Sequence, residues 1–146
     1  MKIEKFGQFI EEGIVKKQIP DKSRATFLIK ESERRLNSLN EKIEKIRIKD
    51  ENANDYVENC YDILMVLVRA KMLTEGYNAS GFDAHKAEVA YLTVLGFSEA
   101  DIQFADQMRV FRNGMLYYGK RLDKTYAEKT IEFTKKIYAE LMKTFR

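Results

Sequence analysis

The chain has 146 residues, 45% apolar and 34% charged, with a net charge of +3. That is enough sequence for one domain with its own core, and too apolar for disorder. One histidine and one cysteine exclude an internal disulfide, a zinc ribbon, a Cys-x-x-Cys redox site and a two-histidine metal cage.

One proline and seven glycines leave little material for turns and predict few, long elements. Ile3, Phe6, Phe9 or Ile10, Gly13 or Ile14 and Lys17 mark a first amphipathic helix, ended by Ile19-Pro20-Asp21. Asp21 is the candidate N-cap of a second helix. Its stripe of Ala25, Leu28, Ser32, Leu36, Leu39, Ile43 and Ile46 predicts about 25 residues and about 38 Å. Asp50, Asn52 and Asn54 mark a turn. The third helix runs from about Ala53 to Gly76. Tyr56, Cys60, Ile63, Leu67 and Ala70 form one stripe, and Tyr61, Leu64, Met65 and Val68 a second. A helix apolar on several sides packs at the centre. Gly76 to Gly81 reads as a loop, and Asp83 to Leu95 as a short helix stopped by Gly96.

Ser98 and Asp101 then form a capping box, with Phe97 and Ile102 as its hydrophobic staple. The fifth helix carries Ile102, Ala105, Met108, Arg112 and Met115 or Leu116 on one face and ends at Gly119. Asp123 opens the last helix, with Tyr126, Thr130, Phe133, Ile137 and Leu141 on its buried stripe. No strand-like alternation of useful length is present. The expected fold is all-α: an up-and-down antiparallel bundle of about five to six helices, one domain over residues 1–146.

The longest apolar run, Ile63 to Val68, is far short of a membrane span. The start, Met1-Lys2-Ile3-Glu4, lacks the apolar stretch of a signal peptide. A cytoplasmic protein with no membrane partner is expected. Residues 120–146 hold eight basic and four acidic side chains, which gives a polyanion a foothold.

Gly114 to Arg121 imitates a phosphate loop, but Arg121 stands where the magnesium-binding hydroxyl belongs, and the segment closes a helix rather than opening one. A di-iron centre needs two Glu-x-x-His pairs, which one histidine cannot supply. Cys60 falls on the buried stripe and reads as a structural thiol. His85, in the first turn of a short helix, reads as a neutral surface or packing residue. No metal or cofactor is expected. Arg112 falls on an apolar face, so its guanidinium needs a partner: an internal carboxylate, a second subunit or a phosphate. Asn113 and Tyr117 are four apart and share a face.

The Pro20-led second helix with Arg24-Ala25, the apolar central helix and the short helix carrying His85 resemble the HEPN family over most of the chain. The Arg112-Asn113 step, followed by Tyr117-Tyr118-Gly119, resembles the ending of its small stand-alone prokaryotic members. The resemblance implies a homodimer with a composite site, and a metal-independent endoribonuclease or a toxin paired with a nucleotidyltransferase. It places Arg112, Asn113 and Tyr117 at the catalytic positions. Arg109, Arg112, Tyr117, Tyr118, Lys120 and Arg121 become candidate RNA- or nucleotide-binding residues. Tyr117 stands where the family's motif carries histidine. A phenol titrates near 10 and supplies little base at neutral pH. The expectation is therefore a dimeric RNA- or nucleotide-binding protein that is non-catalytic or degenerate. The alternatives are an active ribonuclease and a plain partner of a nucleotidyltransferase.

Overall fold

The computed structural model describes residues 3–117 and 121–145, and the side chains of all of these except 115–117. Among the described residues the fold is all-α with six helices: α1 (Phe6–Glu11), α2 (Lys22–Lys45), α3 (Ala53–Thr74), α4 (Ala84–Val94), α5 (Glu99–Tyr117) and α6 (Lys124–Lys143). The predicted stop at Gly119 lies outside the described residues. The caps form where short polar side chains allow. Asp21 accepts from Arg24 N at 3.0 Å, and Asp123 from Tyr126 N at 2.8 Å. Ser98 accepts from Asp101 N at 3.1 Å. The Asp101 carboxylate lies 3.7 Å from Lys136 Nζ, joining the start of α5 to α6.

α3 is the hub. Both of its apolar stripes are buried, from Ala53 to Leu73, and α2, α4, α5 and α6 all pack on it. Asp21 N bonds Leu73 O, so α2 begins where α3 ends. Asn54 and Asp50 accept from Leu122 N and Lys124 N, so α6 begins beside the start of α3. Lys71 Nζ donates to Thr144 O at the far end. α6 thus runs parallel to α3, and α2 antiparallel to it. A buried Ser32–Tyr138 hydrogen bond of 3.0 Å ties α2 to α6.

Two expectations need correction. The first helix does not reach Lys17. Gly13 turns the chain at φ +78°, and β-branched Ile14-Val15 then favours extended backbone. Val15–Lys17 forms β1, and the predicted loop after Gly76 contains β2 (Tyr77–Ala79). They pair antiparallel, with Val15 opposite Ala79 and Lys17 opposite Tyr77. Tyr77, Phe6 and Tyr91 pack edge to face, with ring centroids 4.7–5.9 Å apart, and fix the ribbon to α1 and α4. In α6 the buried face is Ala127, Thr130, Ile131, Thr134, Ile137, Tyr138 and Leu141. Tyr126 and Phe133 sit at its edge because Phe104 of α5 draws both rings, at 6.1 and 4.3 Å.

Gly76 is the most constrained turn. Its φ is +86°, and a Cβ there would lie 2.7 Å from the Gln18 carbonyl oxygen. Gly96 has φ +85° and open space around it. Gly96→Ala should cost about 1–2 kcal/mol for the left-handed backbone alone. Gly76→Ala should cost at least about 1 kcal/mol more, because main chain has to move. Urea denaturation of the two variants checks this; equal losses would count against the clash.

Cys60 is fully buried in the core. Burial pushes its thiol up to about 11 from an ordinary value near 9. The folded chain holds this proton to higher pH than the unfolded chain does. Its contribution is therefore complete below pH 9 and lost as pH rises through about 11, roughly 2–3 kcal/mol in all. Stability measured from pH 8 to 11 should fall less steeply in Cys60→Ala than in the parent chain.

Candidate functional site

α3 leaves one edge incompletely covered, and along it stand Asn59, Asp62 and Arg69. Positions 62 and 69 are two turns apart and share a face. A seam of charge follows this edge, built from three guanidinium–carboxylate pairs and the single histidine.

The innermost pair is Arg69 of α3 with Glu88 of α4. Arg69 Nε and Nη2 donate to the two oxygens of Glu88 at 2.7 and 3.2 Å. The Glu88 side chain is 1% exposed. Burial works against the charge on Arg69, but the hydrogen bonds and field of Glu88 outweigh it and raise its pKa. His85, one turn earlier on α4, places Nδ1 3.2 Å from Glu88 Oε1 while its side chain stays 45% exposed. The second pair is Arg109 with Asp106, at 2.8 Å within α5. Both are nearly buried.

The third pair differs. Arg112 Nε lies 3.2 Å from Asp62 Oδ1, with side chains 25% and 29% exposed. The distance is that of an ion pair, but the N–H is not aimed at the oxygen. Nε is shut off from solvent and has no hydrogen-bond partner among the described residues. The Arg112 guanidinium carbon sits 5.8 Å from the centre of the Tyr61 ring. The His85 ring meets the same Tyr61 ring edge to face at 5.9 Å.

Tyr61 links these groups. It is 1% exposed, and its hydroxyl has no hydrogen-bond partner among the described residues. Burial first, then the field of Glu88, pushes its pKa up, against the opposing pull of Arg109 and Arg112. The group stays a neutral O–H, able to donate. Tyr61 Oη and Arg112 Nε are the only two orphaned buried side-chain atoms among the described residues, and both belong to this seam.

Of the residues singled out in the sequence, Arg112 lies at the solvent edge of the seam and Arg109 inside it, held by Asp106. Asn113 is exposed. Arg121 reaches the Glu51 carbonyl at 3.4 Å, before the start of α3. It lines a separate hollow of about 430 Å³ with Tyr126 and Lys129. The Tyr117 side chain, Tyr118 and Lys120 lie outside the described residues. His85, which the motif spacing left apart from Arg112, is carried to the same aromatic ring by the packing of α4 against α3.

Sequence reasoning missed Tyr61, Asp62, Arg69, Glu88 and Asp106. A signal existed for two of them. Arg69 interrupts the apolar run of α3, and Glu88 stands alone within Ala87-Glu88-Val89-Ala90. A charge enclosed by apolar neighbours on its own helix needs a partner from another. Among the described residues, no group of three or more His, Cys, Asp and Glu could hold a metal ion, and no helix is long and apolar enough to cross a membrane. No model of a known protein family, no curated protein and no solved structure matches this chain.

Proposed function

We propose that the chain is a HEPN-type, homodimeric RNA- or nucleotide-binding protein of the cytoplasm that holds a phosphoryl group between Arg112 and Tyr61. The observation that supports this most is the pairing of orphans. An unsatisfied buried polar group costs about 1–3 kcal/mol, and the two found among the described residues, Tyr61 Oη and Arg112 Nε, belong to side chains that pack together, the guanidinium carbon 5.8 Å from the ring centre. Asp62 lies 3.2 Å from the Nε of Arg112, and a guanidinium has five donors. The terminal nitrogens make no hydrogen bond with the described residues. Guanidinium and phenol hydroxyl together present donors and no acceptor demand, which suits a phosphoryl oxygen.

The test uses a fluorescent single-stranded oligoribonucleotide in an anisotropy titration. Arg112→Ala should weaken binding by roughly tenfold or more, the worth of charge-assisted hydrogen bonds. Tyr61→Phe should weaken it several-fold while leaving the melting temperature unchanged or higher, since only an orphaned hydroxyl is removed. Binding that survives both changes at full strength would overturn the reading.

A second reading, cleavage of the bound RNA, draws support from His85. Its Nδ1 faces a buried carboxylate that Arg69 holds in place, and such orientation suits proton transfer. Here His85 takes the acid–base role that Tyr117 holds by motif position. Incubation of RNA with the protein in EDTA checks it. Cleavage lost in His85→Gln but kept in Tyr117→Phe supports this reading; intact RNA leaves binding as the whole function.

A further inference from the structure

A second polar hollow lies on the other side of Asp62. On α2, Arg35, Ser38, Leu39 and Lys42 recur at spacings of three and four and share one face. On α3, Asn59, Asp62 and Ile63 do the same. Where these faces meet they enclose a pocket of about 130 Å³. Leu39 and Ile63 are buried and form its floor. The walls are polar.

The volume limits the occupant. Whole ligands occupy roughly 300–1,000 Å³, so this pocket takes a group rather than a molecule. The chemistry of the walls narrows it further. Lys42 and Arg35 bring two positive charges, and Ser38 and Asn59 bring neutral donors. The side chains of Ser38, Lys42 and Asn59 have no hydrogen-bond or ion-pair partner among the described residues. Arg35 has a loose one, Glu31 at 3.7 Å. The one carboxylate in the lining, Asp62, lies 3.2 Å from Arg112 Nε, which offsets part of its charge. A small anion with several acceptor oxygens fits such a wall, and an apolar or cationic group does not.

We infer that this α2–α3 pocket is a phosphoryl-binding subsite, continuous with Arg112 through Asp62. It takes either the terminal phosphate or a backbone phosphodiester of the nucleic acid or nucleotide held at Arg112. The inference rests on the proposed function for the identity of the larger ligand. It stands on the pocket alone for the phosphoryl group.

Two measurements test the two parts separately. The first titrates inorganic pyrophosphate into the full chain and follows backbone amide NMR signals. Shifts should concentrate at Ser38, Lys42 and Asn59, and the apparent affinity should fall roughly tenfold in Lys42→Ala. Lys45→Ala is the control, because Lys45 is bound to Glu41 at 2.9 Å and does not line the pocket. It should change little. Equal loss in both variants, or no localised shifts, overturns the subsite even if RNA binds at Arg112.

The second compares oligoribonucleotides with a 5′-phosphate and a 5′-hydroxyl. A loss in Lys42→Ala confined to the phosphorylated strand assigns the pocket to a terminal phosphate. An equal loss for both, with the salt dependence reduced by about one ion, assigns it to a backbone phosphate. No loss for either overturns the subsite as part of the nucleic-acid site. RNA that fails to bind at all, while pyrophosphate does, overturns the proposed function and leaves the phosphoryl pocket standing.

Discussion

The burial of α3 controls the rest of the structure. A helix that is apolar nearly all round has to be covered on every side it can be, and α2, α4, α5 and α6 supply that cover. One edge of α3 stays polar, and Asn59, Asp62 and Arg69 stand along it. Asn59 and Asp62 face the groove against α2, Asp62 meets Arg112 of α5, and Arg69 meets Glu88 of α4. The candidate site and the adjoining pocket share this edge because the remainder of the helix is committed to the core.

The three ion pairs on the seam are unequal, and the difference sets their roles. Glu88 is almost wholly buried and held by two hydrogen bonds from Arg69. Removing one partner of such a pair strands a charge, at about 3–5 kcal/mol. Arg109 and Asp106 form a nearly buried pair at 2.8 Å. Arg112 and Asp62 are misaligned and about a quarter exposed, where a pair contributes roughly 0–1 kcal/mol. The first two pairs fix the walls. The third is the only one that a ligand can engage or rearrange at small cost.

Most of the fold was readable from local pattern. The caps at Asp21, Ser98 and Asp123 and the central place of α3 follow from side chains a few positions apart. The ribbon was not readable, because β1 and β2 are three residues each and their partners lie about sixty positions apart along the chain. A short strand with no alternation looks like the frayed end of a helix. The α6 face was misplaced by a small rotation, since aromatic spacing marked Tyr126 and Phe133 and the pull of Phe104 is a tertiary effect. At the site, periodicity placed Arg112 on an apolar face and limited its partner to three kinds. That one partner is Asp62 depends on how α5 lies on α3, which no one-helix pattern encodes.

The seam also decides how firmly a phenol keeps its proton. A phenol becomes a useful base near neutrality only in a strongly positive field. Here each guanidinium is matched by its own carboxylate, so the local field is nearly balanced. Tyr61 shows the result: with Arg109 and Arg112 close by, its pKa still rises, because burial and Glu88 outweigh them. A buried tyrosine in this environment does not give up its proton. The chain holds one histidine, His85, and the fold places it on this seam with Nδ1 3.2 Å from Glu88 Oε1. His85 and Arg112 stand on different helices beside different carboxylates, Glu88 and Asp62, so a change at one need not disturb the other.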